Sequence, residues 1–143
     1  MNPTLQGVLT VVGRVMLSTI FLLSTAGNKI PQFSVVAENM QGEGIPMPKL
    51  MLAGAIIFLL AGSISVILGY KARVGALLLL IFLVLASYFY HDFWAFDDVQ
   101  RKQQEVVAFM KNMAMIGAML LIIANGAGPM SLDNRCAKQP AEE

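Results

Sequence analysis

Four long apolar runs constrain this chain more than any other feature: Leu5–Ala26, Leu50–Leu68, Val74–Tyr90 and Val106–Ala124. Each is about as long as a helix needs to cross a hydrocarbon layer of ~30 Å. In lipid the backbone groups must pair within their own segment, so runs of this kind predict helices rather than open strands. A soluble helix would carry one apolar stripe, but "LLLLIFLVLA" is apolar all round. Of the 143 residues, 57% are hydrophobic and 13% charged, too little polar surface to cover a soluble core of this size. The expected fold is an all-α, polytopic membrane protein with a four-helix transmembrane bundle over residues 1–125. A polar and loose C-terminal tail, residues 126–143, is expected to follow it.

The links between the runs differ in kind. "GYKAR", residues 69–73, is short enough to make helices two and three antiparallel neighbours. In residues 28–49, Phe33, Val36, Ala37 and Met40 repeat at helical spacing and predict a short amphipathic helix on the membrane surface. "QGEGIPMP" ends it. In "HDFWAFDDVQRKQQE", Phe93, Trp94 and Phe96 fall where an aromatic belt belongs, and Asp97 or Asp98 is placed to cap the fourth helix. The first run lacks a charged n-region and is long for an h-region. It reads as a retained span, although "LLSTAG" supplies small residues of the kind a signal cleavage site uses. Four spans put both termini on one side. Lys71, Arg73, Arg135 and Lys138 then stand against Lys29, Lys49, Arg101 and Lys102, an even count. The dense Lys71/Arg73 pair favours a cytoplasmic turn and cytoplasmic termini.

Net charge near +1 gives no footprint for nucleic acid. One cysteine, Cys136, and one histidine, His91, make neither a disulfide nor a redox pair, a zinc site or a bis-His haem. The methionines of the fourth run, Met110, Met113, Met115 and Met119, read as gap fillers rather than metal ligands. Ala61, Ser65 and Gly69, with Gly62, form a small-residue ladder suited to close helix contact.

Polar groups inside the spans are the candidate site. Gly7, Thr10, Arg14, Ser18, Thr25 and Asn28–Lys29 recur along one side of the first helix, a stripe that should face the bundle interior. A charge at membrane depth is too costly to leave uncompensated. Arg14 either bonds backbone carbonyls and snorkels along the stripe, or binds an anionic or carbonyl-bearing ligand. Lys29, His91, Asp92, Lys111 and Asn112 are expected at the membrane face away from residues 69–73, forming a cationic mouth to which the stripe leads. The plainer reading has Lys29 and Lys111 snorkelling to headgroups. Arg14, Ser18, Lys29, His91, Lys111 and Asn112 are the candidate ligand-binding residues. No metal site and no catalytic residue is assigned.

"GRVMLSTIFLLSTAGNKI", "GIP", "GSISVILGYKAR", "HDF", "KNMAMIGAMLL" and "GAGPMSLD" occur in an order that resembles DoxX-family membrane proteins, over residues 13–133. The resemblance implies a four-helix inner-membrane protein. In that family Arg14, Lys29, His91, Lys111, Asn112, Gly126, Gly128 and Asp133 match recurrent positions. Many relatives place a Glu where this chain has Leu59, so a carboxylate partner for Arg14 is missing. Some members are tied to sulfur or thiol redox chemistry, one as the large subunit of a thiosulfate:quinone oxidoreductase. The resemblance therefore implies an accessory or quinone-facing subunit of a membrane redox complex, with a quinone as candidate ligand, no redox cofactor of its own, and partner redox proteins. A non-enzymatic assembly factor, lipid or small-molecule binder, or transporter-like module is the alternative, and a proton or solute path a third. Membrane lipid is the expected surrounding, and a homo-oligomer is open.

Overall fold

A computed structural model describes residues 2–90 and 98–138. Among them the regular elements are six α-helices and one π-helical turn: α1 (Pro3–Ser24) running into the π turn (Thr25–Lys29), α2 (Phe33–Gly42), α3 (Pro48–Leu68), α4 (Ala72–Tyr90), α5 (Val99–Asn125) and α6 (Leu132–Lys138). Four helical stretches are long and apolar enough to cross a membrane: Pro3–Lys29, Pro48–Leu68, Ala72–Tyr90 and Val99–Asn125. They coincide with the four apolar runs, extended at the ends by polar residues that make caps. Asn2 accepts from Thr4 N, with Pro3 in the first turn, and Asp98 Oδ1 accepts from Arg101 N at 2.7 Å. Asp98 is thus the cap of α5; Asp97, Phe93, Trp94 and Phe96 lie outside the described residues.

α3 is the hub, packing against α1, α2 and α4, while α5 packs on α4. The α3–α4 turn is tight because α3 ends in a Schellman motif. Gly69 takes positive φ (65°), and the Tyr70 N–H reaches back to Ser65 O at 3.1 Å. Below the turn, Gly62 and Gly75 let the two backbones approach. A Cβ on Gly62 would lie 2.8 Å from Leu79 Cγ and 2.9 Å from Gly75 O. Ser65 belongs to this contact, facing Gly75, whereas Gly69 faces Arg14 and the C-terminal segment and Ala61 faces outward.

The main core joins all four spans: Phe21 of α1, Leu59 and Val66 of α3, Leu79 and Leu83 of α4, and Met119 of α5, each at most 3% exposed. Met115 and Met119 fill this core, while Met110 and Met113 are exposed. A second cluster holds α2 against the bundle: Ala37 and Met40 pack with Leu52, and Phe33, Val36, Phe89 and Tyr90 surround them. The apolar side of α2 is therefore packed against α3 and the end of α4.

Candidate functional site

α1 carries two cations, and the fold separates them. Arg14 is 4% exposed. Its guanidinium donates to three backbone carbonyls: Nε to Thr10 O at 3.3 Å, Nη1 to Val66 O at 3.3 Å and Nη2 to Met130 O at 2.6 Å. Val66 is in the last turn of α3, so Arg14 sits at the end of the bundle that bears the α3–α4 turn. There it packs so closely on Gly69 that a Cβ at that position would collide with it. The carbonyl reading of Arg14 is the one realised. The stripe of α1 does face inward, with Gly7, Arg14, Ser18 and Thr25 all buried, but Arg14 does not lead into a mouth at the other end. The two cations are 15 residues apart, about 22 Å along a helix. Leu59 does not leave a gap beside Arg14 either. It fills the core next to Phe21, seven residues or about 10 Å of helix from Val66.

The partner that Arg14 finds instead is the C-terminal segment, which is not loose over residues 126–138. Ala127 and Ser131 are buried, Gly7 faces Met130, and Gly128 faces Thr10. The Asp133 carboxylate accepts from the N–H groups of Lys71 (2.7 Å) and Ala72 (3.0 Å) at the start of α4, while the Asp133 N–H donates to Gly69 O at 2.8 Å. A carboxylate on a helix N-terminus satisfies orphan donors and opposes the helix dipole. Sequence reading treated this segment as a tail because its Gly, Pro and Asn residues signal irregular backbone. Irregular backbone can still be fixed when its carbonyls and amides have partners.

Lys29 belongs to the opposite end. The last turn of α1 widens into a π turn over Thr25–Lys29, closed by Ile30 N to Thr25 O at 3.0 Å. In an α-helix, residues five apart point about 140° away from each other. The wider turn brings Lys29 onto the face of Ser24, and Lys29 Nζ donates to Ser24 Oγ at 2.6 Å. The ammonium also stands 5.4 Å from the centre of the Phe82 ring of α4. The side chain is therefore turned back toward the bundle core, away from the headgroups.

The cavity beside it has a volume of about 730 Å³ and is walled by α1, α2, α3 and α4, with Asn112 and Met115 from α5. Its walls are mostly apolar, with Phe21, Phe58, Phe82 and Phe89 among them; Ser24, Asn28, Lys29, Asn39 and Asn112 supply the polar points. Size and lining fit a small-molecule site. Asn112 Nδ2 donates to Ser87 Oγ at 3.1 Å, which fixes the amide between α4 and α5.

Of the six candidate residues, Lys29 and Asn112 line one cavity. Lys111 is exposed on the outer surface of α5, and Arg14 is engaged at the far end. Ser18 is fully buried in the α1 stripe, its Oγ without a partner, as is that of Ser63. His91 and Asp92 lie outside the described residues. Sequence reasoning placed Asn28 beside Lys29 on the stripe without naming it a ligand-binding candidate, and missed Ser24, Asn39 and the π turn. Only the small residues of "TAGNK" hinted at an unusual helix end. Among the described residues no group of three His, Cys, Asp or Glu side chains could hold a metal.

Comparison with known proteins agrees with this architecture. The chain is 27% identical to inner membrane protein YphA of Escherichia coli (strain K12) over 128 residues, 90% of each chain. It is 28% identical to inner membrane protein YqjF of the same organism over 136 residues, 94% of this chain and 97% of the relative. A shorter likeness, 25% over 80 residues, covers 56% of this chain and 26% of ER-derived vesicles protein ERV29 of Saccharomyces cerevisiae. No solved structure matches. Residues 9–92, more than half of the chain, match DoxX, and this multi-pass membrane protein belongs to the DoxX family.

Proposed function

We propose that the chain is an accessory, quinone-facing subunit of a membrane redox complex with sulfur- or thiol-linked chemistry. In this reading it holds a lipid-soluble ring compound while a partner protein carries the electrons. The observation that carries the reading is the aromatic-walled cavity with the Lys29 ammonium turned into it. Phe58, Phe82 and Phe89 offer ring faces, and Lys29 and Asn112 offer donors to ring oxygens. Donors aimed at an oxygen that gains negative charge favour its reduction. Arg14, spent on three carbonyls, has no part in this. A non-enzymatic lipid or small-molecule binder is the second reading, favoured by walls that are apolar everywhere except near Lys29 and the amides.

Mass spectrometry after gentle purification tests both. A quinone bound near one per chain, together with a redox protein crosslinked in stoichiometric amount, supports the first. Phospholipid or fatty acid alone, with no redox partner, supports the second. Absence of quinone together with an unchanged membrane redox phenotype in Lys29→Met overturns the first. We also propose that both termini are cytoplasmic, since Lys71, Arg73 and Arg135 gather at that end. Cys136 is exposed and is the sole cysteine, so it reports on this directly. A membrane-impermeant maleimide should label it only after the membrane is permeabilised; labelling through an intact inner membrane from outside reverses the orientation.

A further inference from the structure

We infer that the occupant of this cavity is an amphiphile whose head is an ionised acidic oxygen, and that the Lys29 ammonium is its counter-ion. The inference rests on the proposal that the cavity is a ligand site and specifies the class of ligand.

Lys29 is the last residue of its span. A lysine in that position ordinarily extends its stem along the helix and puts its charge among the headgroups. Here the side chain runs the other way, to a hydroxyl five residues deeper in the membrane and to the face of Phe82. Both partners are neutral. An ammonium has three donors, and one hydroxyl and one ring leave it short of acceptors. No carboxylate is paired with it among the described residues, whereas Arg14 has three carbonyls and the Asp133 carboxylate at its end of the bundle. A half-buried cation whose partners among the described residues are neutral is unfavourable in an apolar setting. A neutral carbonyl on the ligand would add an acceptor and leave the charge uncancelled. An anionic oxygen does both, and charge-assisted hydrogen bonds are roughly twice as strong as neutral ones. The amides of Asn28, Asn39 and Asn112 can bond the remaining lone pairs of the head. The apolar walls fit the body, and about 730 Å³ accommodates a fused ring or one chain.

Two sources share this chemistry, an acidic ring hydroxyl on a quinone and the carboxylate of a fatty acid. The experiment separates them. The full chain, reconstituted in nanodiscs of zwitterionic lipid at neutral pH, is titrated with three probes: a long-chain hydroxynaphthoquinone, its methyl analogue of equal size, and dodecanoate. The hydroxy compound should bind about tenfold tighter than the methyl compound, the difference a charge-assisted bond makes. That preference should vanish in Lys29→Met. Independently of any variant, the affinity of the hydroxy compound should fall to that of the methyl compound as pH drops below the pKa of the hydroxyl. Equal affinity of the two naphthoquinones for the wild type overturns the inference and leaves the quinone reading intact. Lys29-dependent binding of dodecanoate, with neither naphthoquinone bound, upholds the inference and overturns the quinone reading. No binding of any probe overturns both.

Discussion

Arg14 and Lys29 lie on the same helix, carry the same charge and are both turned into the protein, yet they are treated in opposite ways. Arg14 is saturated. Its planar fork meets three carbonyls from three segments, α1, α3 and the C-terminal stretch, and ties them together. Among the described residues Lys29 has one hydroxyl and one ring, beside an apolar cavity. The lesson is that depth and residue type do not tell whether a membrane charge is structural or functional. The inventory of its partners does. A charge that binds the backbone of several segments at once is a fastener. A charge turned back along its helix, toward apolar walls, is poised for something else.

Four substitutions sharpen or break this division. Arg14→Met should have the largest effect on the fold, about 2–3 kcal/mol, because it leaves Val66 O buried without that donor and, with Met130 O released, frees the C-terminal segment. Thermal unfolding in detergent, with hydrogen exchange over residues 126–138, measures it. Probe affinity in the cavity should stay within a factor of about two, given the ~22 Å between the ends. Loss of probe binding with the fold intact would merge the two ends into one site. Asp133→Asn should cost about 1 kcal/mol, since the amide keeps one acceptor oxygen where the carboxylate offers one each to the Lys71 and Ala72 N–H groups, and loses the charge. A loss as large as that for Arg14→Met would make the carboxylate, rather than the guanidinium, the main fastener. Lys29→Met should leave the melting point level or raise stability by up to about 1 kcal/mol, because an incompletely paired cation is replaced by an apolar chain of similar length. A clear drop would recast Lys29 as a second fastener. Ser18→Ala should change stability least, within about 0.5 kcal/mol, because its buried hydroxyl has no partner to lose. A larger loss would mean that the α1 stripe acts as one polar unit between the two ends.

The spans were legible because the bilayer leaves a chain few choices. Leu50–Leu68 and Val74–Tyr90 could hardly be anything but helices, and the short link between them fixed their pairing. The site was legible only in part. Lys29 and Asn112 could be placed at one end by counting along antiparallel helices, and they do line one cavity. Lys111 is adjacent to Asn112 in sequence but about 100° around the helix, and it faces outward. Arg14 was read as part of a stripe leading to that mouth, but a stripe on a helix wheel has direction and no destination, and its guanidinium is engaged at the other end. The C-terminal segment that captures Arg14 obeys no periodicity, and its contacts join residues 116 apart. The π turn that aims Lys29 breaks the very period on which helix reading depends.

The clasp between Arg14 and Met130 also sets a timetable for biosynthesis. Met130 is added 116 residues after Arg14. At about 5–20 residues per second that is an interval of roughly 6–23 s on the ribosome. Throughout it the first helix must enter the bilayer with its guanidinium lacking its closest acceptor. Nascent chains released before that residue retain every span but not the clasp, which makes the segment after the last span a checkpoint of completeness.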